Sequence, residues 1–213
     1  MGDLPRLLVL TDRSQLHLGR SLVRTIEECV DAGLTHVILR ELDETPLGRM
    51  ALAAAFEGAG ATVIAAHTPV FGASGVHVPA TDLSGLSGQK VPSESLLSPS
   101  SNAGHDWSVG VSCHSVAEVV AAAAAGATYV TLSPYAESDS KPGYGPVLTR
   151  EVFAEASAVG VPVYALGGIT PDNAVEAIGA GVDGLAVMGS VMRAEDPAAV
   201  VADLLAILDE APW

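Results

Sequence analysis

The sequence predicts a single (β/α)8 (TIM) barrel spanning residues 1–213, and three observations predict it. Eight short apolar runs read as strands, and most are followed by a segment with helical spacing. That alternation is the rhythm of a parallel sheet with crossover helices. Near the end of the chain, two units repeat one plan. Tyr164-Ala165-Leu166-Gly167-Gly168-Ile169-Thr170-Pro171 and Gly184-Leu185-Ala186-Val187-Met188-Gly189-Ser190 each run from an apolar strand through glycine into a helix start. Glycine lets backbone N–H groups approach an anion closely, and the loops after strands seven and eight of such barrels hold phosphate. The turn after the first strand, Thr11-Asp12-Arg13-Ser14, lacks the glycines that the alternative fold, a doubly wound dinucleotide-binding sheet, needs there.

The elements follow in order. Leu7 to Thr11 is the first strand, and Ser21 to Ala32 the first helix, with Leu22, Ile26, Cys29 and Val30 at helical spacing. His36 to Arg40 is the second strand. Thr45 to Gly58 is the second helix, and Pro46 suits its first turn. Strands three and four, Thr62 to Ala66 and Gly75 to Val78, stand so close that the helix between them is missing or a single turn. Residues 83 to 107, rich in Ser, Gly and Pro, read as loop with room for one helical turn. Ser108 to Ser112 is strand five. Ser115 caps the alanine-rich helix that runs to Ala124, and Glu118 completes a capping box. Tyr129 to Leu132 is strand six, followed by a long loop from Ser133 to Val147 and a helix from Arg150 to Ala158. Val161 to Leu166 and Gly184 to Val187 are strands seven and eight. Helices near Pro171 to Ala180 and Pro197 to Asp209 follow them.

Composition narrows the function. Hydrophobic residues make up 49% of the chain, enough for one domain with a large core. The net charge is −15, which argues against nucleic acid and anionic membranes as partners. It leaves an anionic small molecule open, because such a ligand reads the local potential. Cys29 and Cys113 make no disulfide framework, and neither a signal peptide nor a membrane-spanning run is visible, so the expected compartment is the cytoplasm. The apolar run from Val119 to Ala124 leaves homodimer formation open.

In a barrel, function sits at the C-terminal ends of the strands, where polar side chains converge. Arg40 there either clamps an anion with its planar fork or pairs with a carboxylate of the rim. Lys141, between Ser140 and Pro142 in a loop with Gly143 and Gly145, reads either as part of a charged lid or as a solvated surface lysine. His114 is suited to move protons near neutral pH or else packs at the strand–helix junction. Ser112 and Cys113 alternate along their strand, so a mouth-facing Ser112 leaves Cys113 as core filler. His67 is either a mouth residue or a cap for the short connection, and Met192 reads as packing, as does Met188 unless its backbone serves the phosphate loop.

Taken together, these residues resemble the thiamine phosphate synthase / thiazole tautomerase superfamily over most of the chain. The segments that carry the resemblance are Leu8-Val9-Leu10-Thr11-Asp12, Ile38-Leu39-Arg40-Glu41, Gly75-Val76-His77-Val78 with Asp82, Gly110-Val111-Ser112-Cys113-His114-Ser115, Ser133-Pro134 to Ser140-Lys141, and the two glycine segments. The resemblance implies a (β/α)8 barrel and one of two chemistries. The synthase joins a pyrimidine-methyl pyrophosphate to a thiazole phosphate with Mg2+ and releases pyrophosphate. The tautomerase aromatises a thiazole carboxylate phosphate by proton transfer, without a cofactor.

The departures favour the tautomerase. Leu42 stands where the synthase has lysine, and Ala66-His67 where it has Asn-Asp. Asp82 alone remains for a residual Mg2+ site, and a hard divalent ion needs several oxygen ligands. Ser138 and Ser140 keep the hydroxyls of the synthase threonines, and Met188-Gly189 replaces Val-Ser with Ser190 displaced by one. On this reading a phosphorylated thiazole sits on Gly167, Gly168, Met188, Gly189 and Ser190. Ser112, Ser138, Ser140 and Lys141 contact it, Arg40 holds its carboxylate and His114 transfers the proton. The alternatives are a divergent Mg2+-dependent synthase using Asp82 and His67, and a non-catalytic relative that binds a phosphate ligand. A phosphosugar epimerase or aldolase would want a strand-end lysine or a metal set, and Lys90 and Lys141 both fall in loops.

Overall fold

A computed structural model of the protein describes residues 4–85, 107–137 and 146–211. Its strands are β1 (Leu7–Leu10), β2 (His36–Leu39), β3 (Thr62–Ala66), β4 (Gly75–Pro79), β5 (Ser108–Cys113), β6 (Tyr129–Leu132), β7 (Val163–Leu166) and β8 (Gly184–Val187). All pair in parallel, each with its sequence neighbour, and β8 returns to β1 with Leu8 opposite Ala186, so the barrel closes. The predicted fold is the observed one. The helices are α1 (Leu22–Asp31), α2 (Pro46–Gly58), α3 (Val116–Ala124), α4 (Arg150–Ser157), α5 (Pro171–Ile178), α6 (Gly189–Met192) and α7 (Pro197–Glu210). Among the described residues no helix is long and apolar enough to cross a membrane.

Local chemistry explains the helix starts. The side chains of Ser21, Thr45 and Asp196 accept hydrogen bonds from the backbone N–H groups of Arg24, Gly48 and Ala199, each capping a helix whose first amides have no partner of their own. Pro46, Pro171 and Pro197 begin their helices, where a missing N–H costs nothing. The box predicted at α3 is modified. Ser115 accepts from the Glu118 N–H, but the Glu118 carboxylate reaches one residue further back, to the His114 N–H at 2.5 Å. No helix joins β3 to β4, as their spacing required, and a 3-10 turn over Ala80–Gly85 follows β4. Helix α6 begins at the helix start predicted at Gly189-Ser190, but its extent was not readable. At four residues it is too short to leave a periodic signal.

Side chains alternate across the sheet, as the strand geometry requires. Leu7, Val9, Val37, Leu39, Val63, Val111, Cys113 and Val130 point outward beneath the helices. Leu8, Leu10, Ile38, Ile64, Ala66, Tyr129, Tyr164 and Ala186 fill the barrel interior. Two tyrosines fit inside because glycines face them across the ladder. Gly110 pairs with Tyr129 and Gly184 with Tyr164. A methyl group at Gly110 would sit 2.2 Å from the Tyr129 ring and 2.4 Å from His77 Nδ1. Cys113 is a core filler, as expected, and burial pushes its thiol up to about 12; the same holds for Cys29. Neither is a thiolate nucleophile at neutral pH.

Candidate active site

A cavity of about 550 Å3 opens at the C-terminal ends of the strands, within the range of small-molecule sites. It gathers Arg40, Ser112, His114, Gly167, Gly168, Met188, Gly189 and Ser190, the described residues predicted for substrate and phosphate. Ser138, Ser140 and Lys141 lie outside the described residues. Their described neighbours Glu137 and Val147 border the cavity. Arg193, His77, Ser133 and Ile169 also border it and were not predicted as ligand contacts.

The glycine turn after β7 is tightly specified. Gly167 and Gly168 have φ of 96° and 67°, the left-handed region that glycine adopts without strain. A methyl group on Gly168 would lie 2.5 Å from the Glu137 carbonyl oxygen and 2.8 Å from that of Ala136. The turn carbonyls are both engaged. Gly167 O accepts from the Ala136 N–H at 2.9 Å, and Gly168 O accepts from Asn173 Nδ2 at 2.8 Å. After β8, the first amides to bond within α6 are those of Val191 and Met192, both to Met188 O. Those of Gly189 and Ser190 precede any partner the helix can offer. The Ser190 hydroxyl is buried and has no hydrogen-bond partner among the described residues.

Of the two sequence readings of Arg40, the structure shows the pairing with a rim carboxylate. Arg40 borders the cavity, and its Nη1 lies 3.5 Å from Asp12 Oδ2 and 3.3 Å from Met188 Sδ. Burial pushes the Asp12 carboxyl up, but hydrogen bonds from Ser14 and Gln15 and the charge of Arg40 outweigh it and hold the group below the usual carboxylate range. Asp12 is therefore a carboxylate at neutral pH and steadies Arg40 over the mouth. Met188 thus contributes its side chain to the site, whereas Met192 is fully buried packing, as expected. Glu41 serves the scaffold. It is 3% exposed and binds Arg13, which also pairs with Asp43 and Glu44. Arg193 donates to Gln15 Oε1.

The His114 ring lies against Ser133, with Nδ1 3.0 Å from its carbonyl oxygen and 3.1 Å from its hydroxyl. A carbonyl only accepts, so Nδ1 carries the hydrogen and the neutral ring keeps its basic lone pair on Nε2. His67 is a mouth residue with φ of 62°, unusual for a side-chain-bearing residue. Its strained position is secured from below. Buried Arg49 of α2 donates to the Ala66 carbonyl and the Thr68 hydroxyl, both at 2.7 Å, and the His67 N–H donates to His77 O at 2.8 Å.

His77 forms the cavity floor. Nδ1 is 3.1 Å from the Tyr129 hydroxyl, Nε2 is 3.3 Å from Thr131 Oγ1, and the ring stacks on Tyr129. Burial, with a smaller contribution from His67, pushes its pKa down to about 4, so it is a neutral polar contact. Its inward position was readable in the alternation of Val76-His77-Val78.

Asp82 was the candidate for a residual Mg2+ site. It is exposed, bonds the Thr81 hydroxyl, and is not among the residues bordering the cavity. Among the described residues no group of three or more His, Cys, Asp or Glu side chains is placed to hold a metal. Those residues do not fit the Mg2+ that the synthase resemblance implies.

Comparisons with known proteins define the family. The profile of the family Thiamine monophosphate synthase matches residues 7–191. A thiamine-phosphate synthase of Haloquadratum walsbyi is 30% identical over 96% of this chain and 91% of its own. One of Clostridium acetobutylicum is 29% identical over 94% of each chain. In fold, the chain is similar to a thiamine phosphate pyrophosphorylase from Pyrococcus furiosus, with a TM-score of 0.73, 24% identity and 96% of each chain covered. These findings overturn the tautomerase reading. It rested on departures at Leu42, Ala66-His67 and Asp82, whereas the relatives that match nearly the whole chain bear the synthase name. The proton-transfer role given to His114 and the carboxylate-holding role given to Arg40 fall with it. From the barrel, the paired glycine turns and this whole-length similarity, the chain belongs to the thiamine monophosphate synthase family.

Proposed function

We propose that this chain is a thiamine-phosphate synthase, coupling a pyrimidine-methyl pyrophosphate to a thiazole phosphate. The observation that carries this reading is one mouth cavity combining glycine-turn amides with two arginines, in a chain similar to synthases over nearly its whole length. In the coupling, the thiazole nitrogen forms a bond to the pyrimidine methylene carbon, and the bond from that carbon to the pyrophosphate oxygen breaks. No proton is transferred between carbon atoms. The site must therefore hold two phosphorylated molecules in line and accept the charge that gathers on the leaving group. The thiazole phosphate rests on the amides of Gly168, Ile169, Gly189 and Ser190. Arg40 and Arg193 supply positive charge on the cavity wall, and neutral His77 offers its floor a polar contact to a heteroaromatic ring.

Purified protein given both substrates with Mg2+ in the buffer is expected to release thiamine phosphate and pyrophosphate in equal amounts. If the pyrimidine pyrophosphate survives unchanged beside thiazole phosphate, the proposal is wrong. Arg40→Ala should raise KM for the pyrophosphate substrate about tenfold, the lower end of what a charged hydrogen bond contributes. An unchanged KM would remove Arg40 from the binding site.

A further inference from the structure

We infer that Asn173, outside the cavity, is the positioning residue that aims the turn amides at phosphate; this rests on the phosphate reading given above. Asn173 is half-buried in the first turn of α5, and both ends of its side-chain amide are bonded. Oδ1 accepts from the Thr170 N–H at 2.9 Å, and Nδ2 donates to the Gly168 carbonyl at 2.8 Å. The first bond caps α5, a role any N3 acceptor can fill. The second has a separate consequence. A trans peptide is planar, with its carbonyl and N–H on opposite sides. Drawing the Gly168 carbonyl toward α5 turns the Ile169 N–H away from the helix, on the side where Gly168 and Ile169 border the cavity.

The preceding peptide is held the same way. Gly167 O accepts from the Ala136 N–H, so the Gly168 N–H points away from Ala136. Gly168, at φ of 67°, sits between the two clamped peptides. Glycine is the residue most able to rotate out of such a conformation. Two carbonyl anchors, one from the loop after β6 and one from Asn173, thus fix two successive N–H groups. An anion site gains affinity when its donors are aimed before the ligand arrives.

Asn173→Asp and Asn173→Ala separate the two bonds. Aspartate keeps the acceptor for Thr170 but cannot donate to Gly168, whereas alanine loses both. Inorganic phosphate is titrated into the isotope-labelled full chain, following the amide signals of Gly168, Ile169, Gly189 and Ser190, and Tm is measured in parallel. In the unsubstituted protein phosphate should shift these signals. Both variants should weaken phosphate about tenfold and lower Tm, the alanine variant through the lost cap as well. Both should raise KM for thiazole phosphate with kcat little changed. Alanine is neutral, so phosphate affinity equal to that of the parent in Asn173→Ala would assign any aspartate effect to charge and overturn the inference. Should the alanine variant not fold, Asn173→Ser carries the same neutral test. If phosphate shifts none of the four amides in the parent protein, the phosphate reading itself fails, and the role of Asn173 with it.

Discussion

Gly168→Ala is expected to cost about 3 kcal/mol of stability and more than tenfold in phosphate affinity. The backbone there has φ of 67°, and an alanine in the left-handed region costs roughly 1–2 kcal/mol by itself. The added methyl would also lie 2.5 Å from the Glu137 carbonyl oxygen and 2.8 Å from the Ala136 carbonyl oxygen and Cβ. Two of those atoms are backbone, so relief requires the turn or the loop after β6 to move. Movement of either breaks the carbonyl anchors at Ala136 and Asn173 that set the amide directions. Urea unfolding and phosphate titration of the variant check both numbers. Parent-like stability with parent-like affinity would mean that this turn does not form the anion site.

Acid is expected to destabilise the protein through His77, by about 3 kcal/mol between pH 6.5 and pH 4. In the unfolded chain this imidazole takes up a proton near its ordinary value of 6.5. In the folded barrel, burial holds it neutral down to about 4. Between those values the unfolded state binds more protons, so stability rises with pH across the window and is lost as pH falls through it. Among the described residues, the site offers no rescue for a charged ring. Its neighbours are the Tyr129 hydroxyl and Thr131 Oγ1, and the nearby titratable group, His67, is itself a potential cation. Asp12 adds a loss of the same sign at lower pH, because its carboxyl is held below the usual range when folded. Urea midpoints from pH 7 to 4.5 should fall steeply for the parent and less steeply for His77→Gln, which keeps polar atoms but does not titrate. Equal slopes in the two proteins would contradict the neutral assignment.

Much of the barrel was legible because its signals are local. Ser21, Thr45-Pro46 and Pro197 mark helix starts through hydrogen-bond needs that any helix has, and the structure begins helices at each. The short gap between Ala66 and Gly75 has no room for a helix, and none is there. The mouth was legible in part. Arg40, Ser112, His114 and the glycine turns follow from strand ends in a barrel, and all border one cavity. Arg193 was not, because the four-residue helix that brings it to the rim leaves no periodic trace. Asn173 was not, because its effect runs through a carbonyl whose direction no residue pattern reveals. The choice between chemistries failed for a different reason. Leu42, His67 and Asp82 are single-site departures, whereas the similarity to the family spans residues 7–191.

A crystal structure of the protein with thiazole phosphate tests the central claim most directly. The phosphate oxygens should lie about 2.7–3.2 Å from the amide nitrogens of Gly168, Ile169, Gly189 and Ser190, with the thiazole ring directed into the cavity above His77. A phosphate bound away from both glycine turns, or a ligand seated outside the barrel mouth, would contradict it.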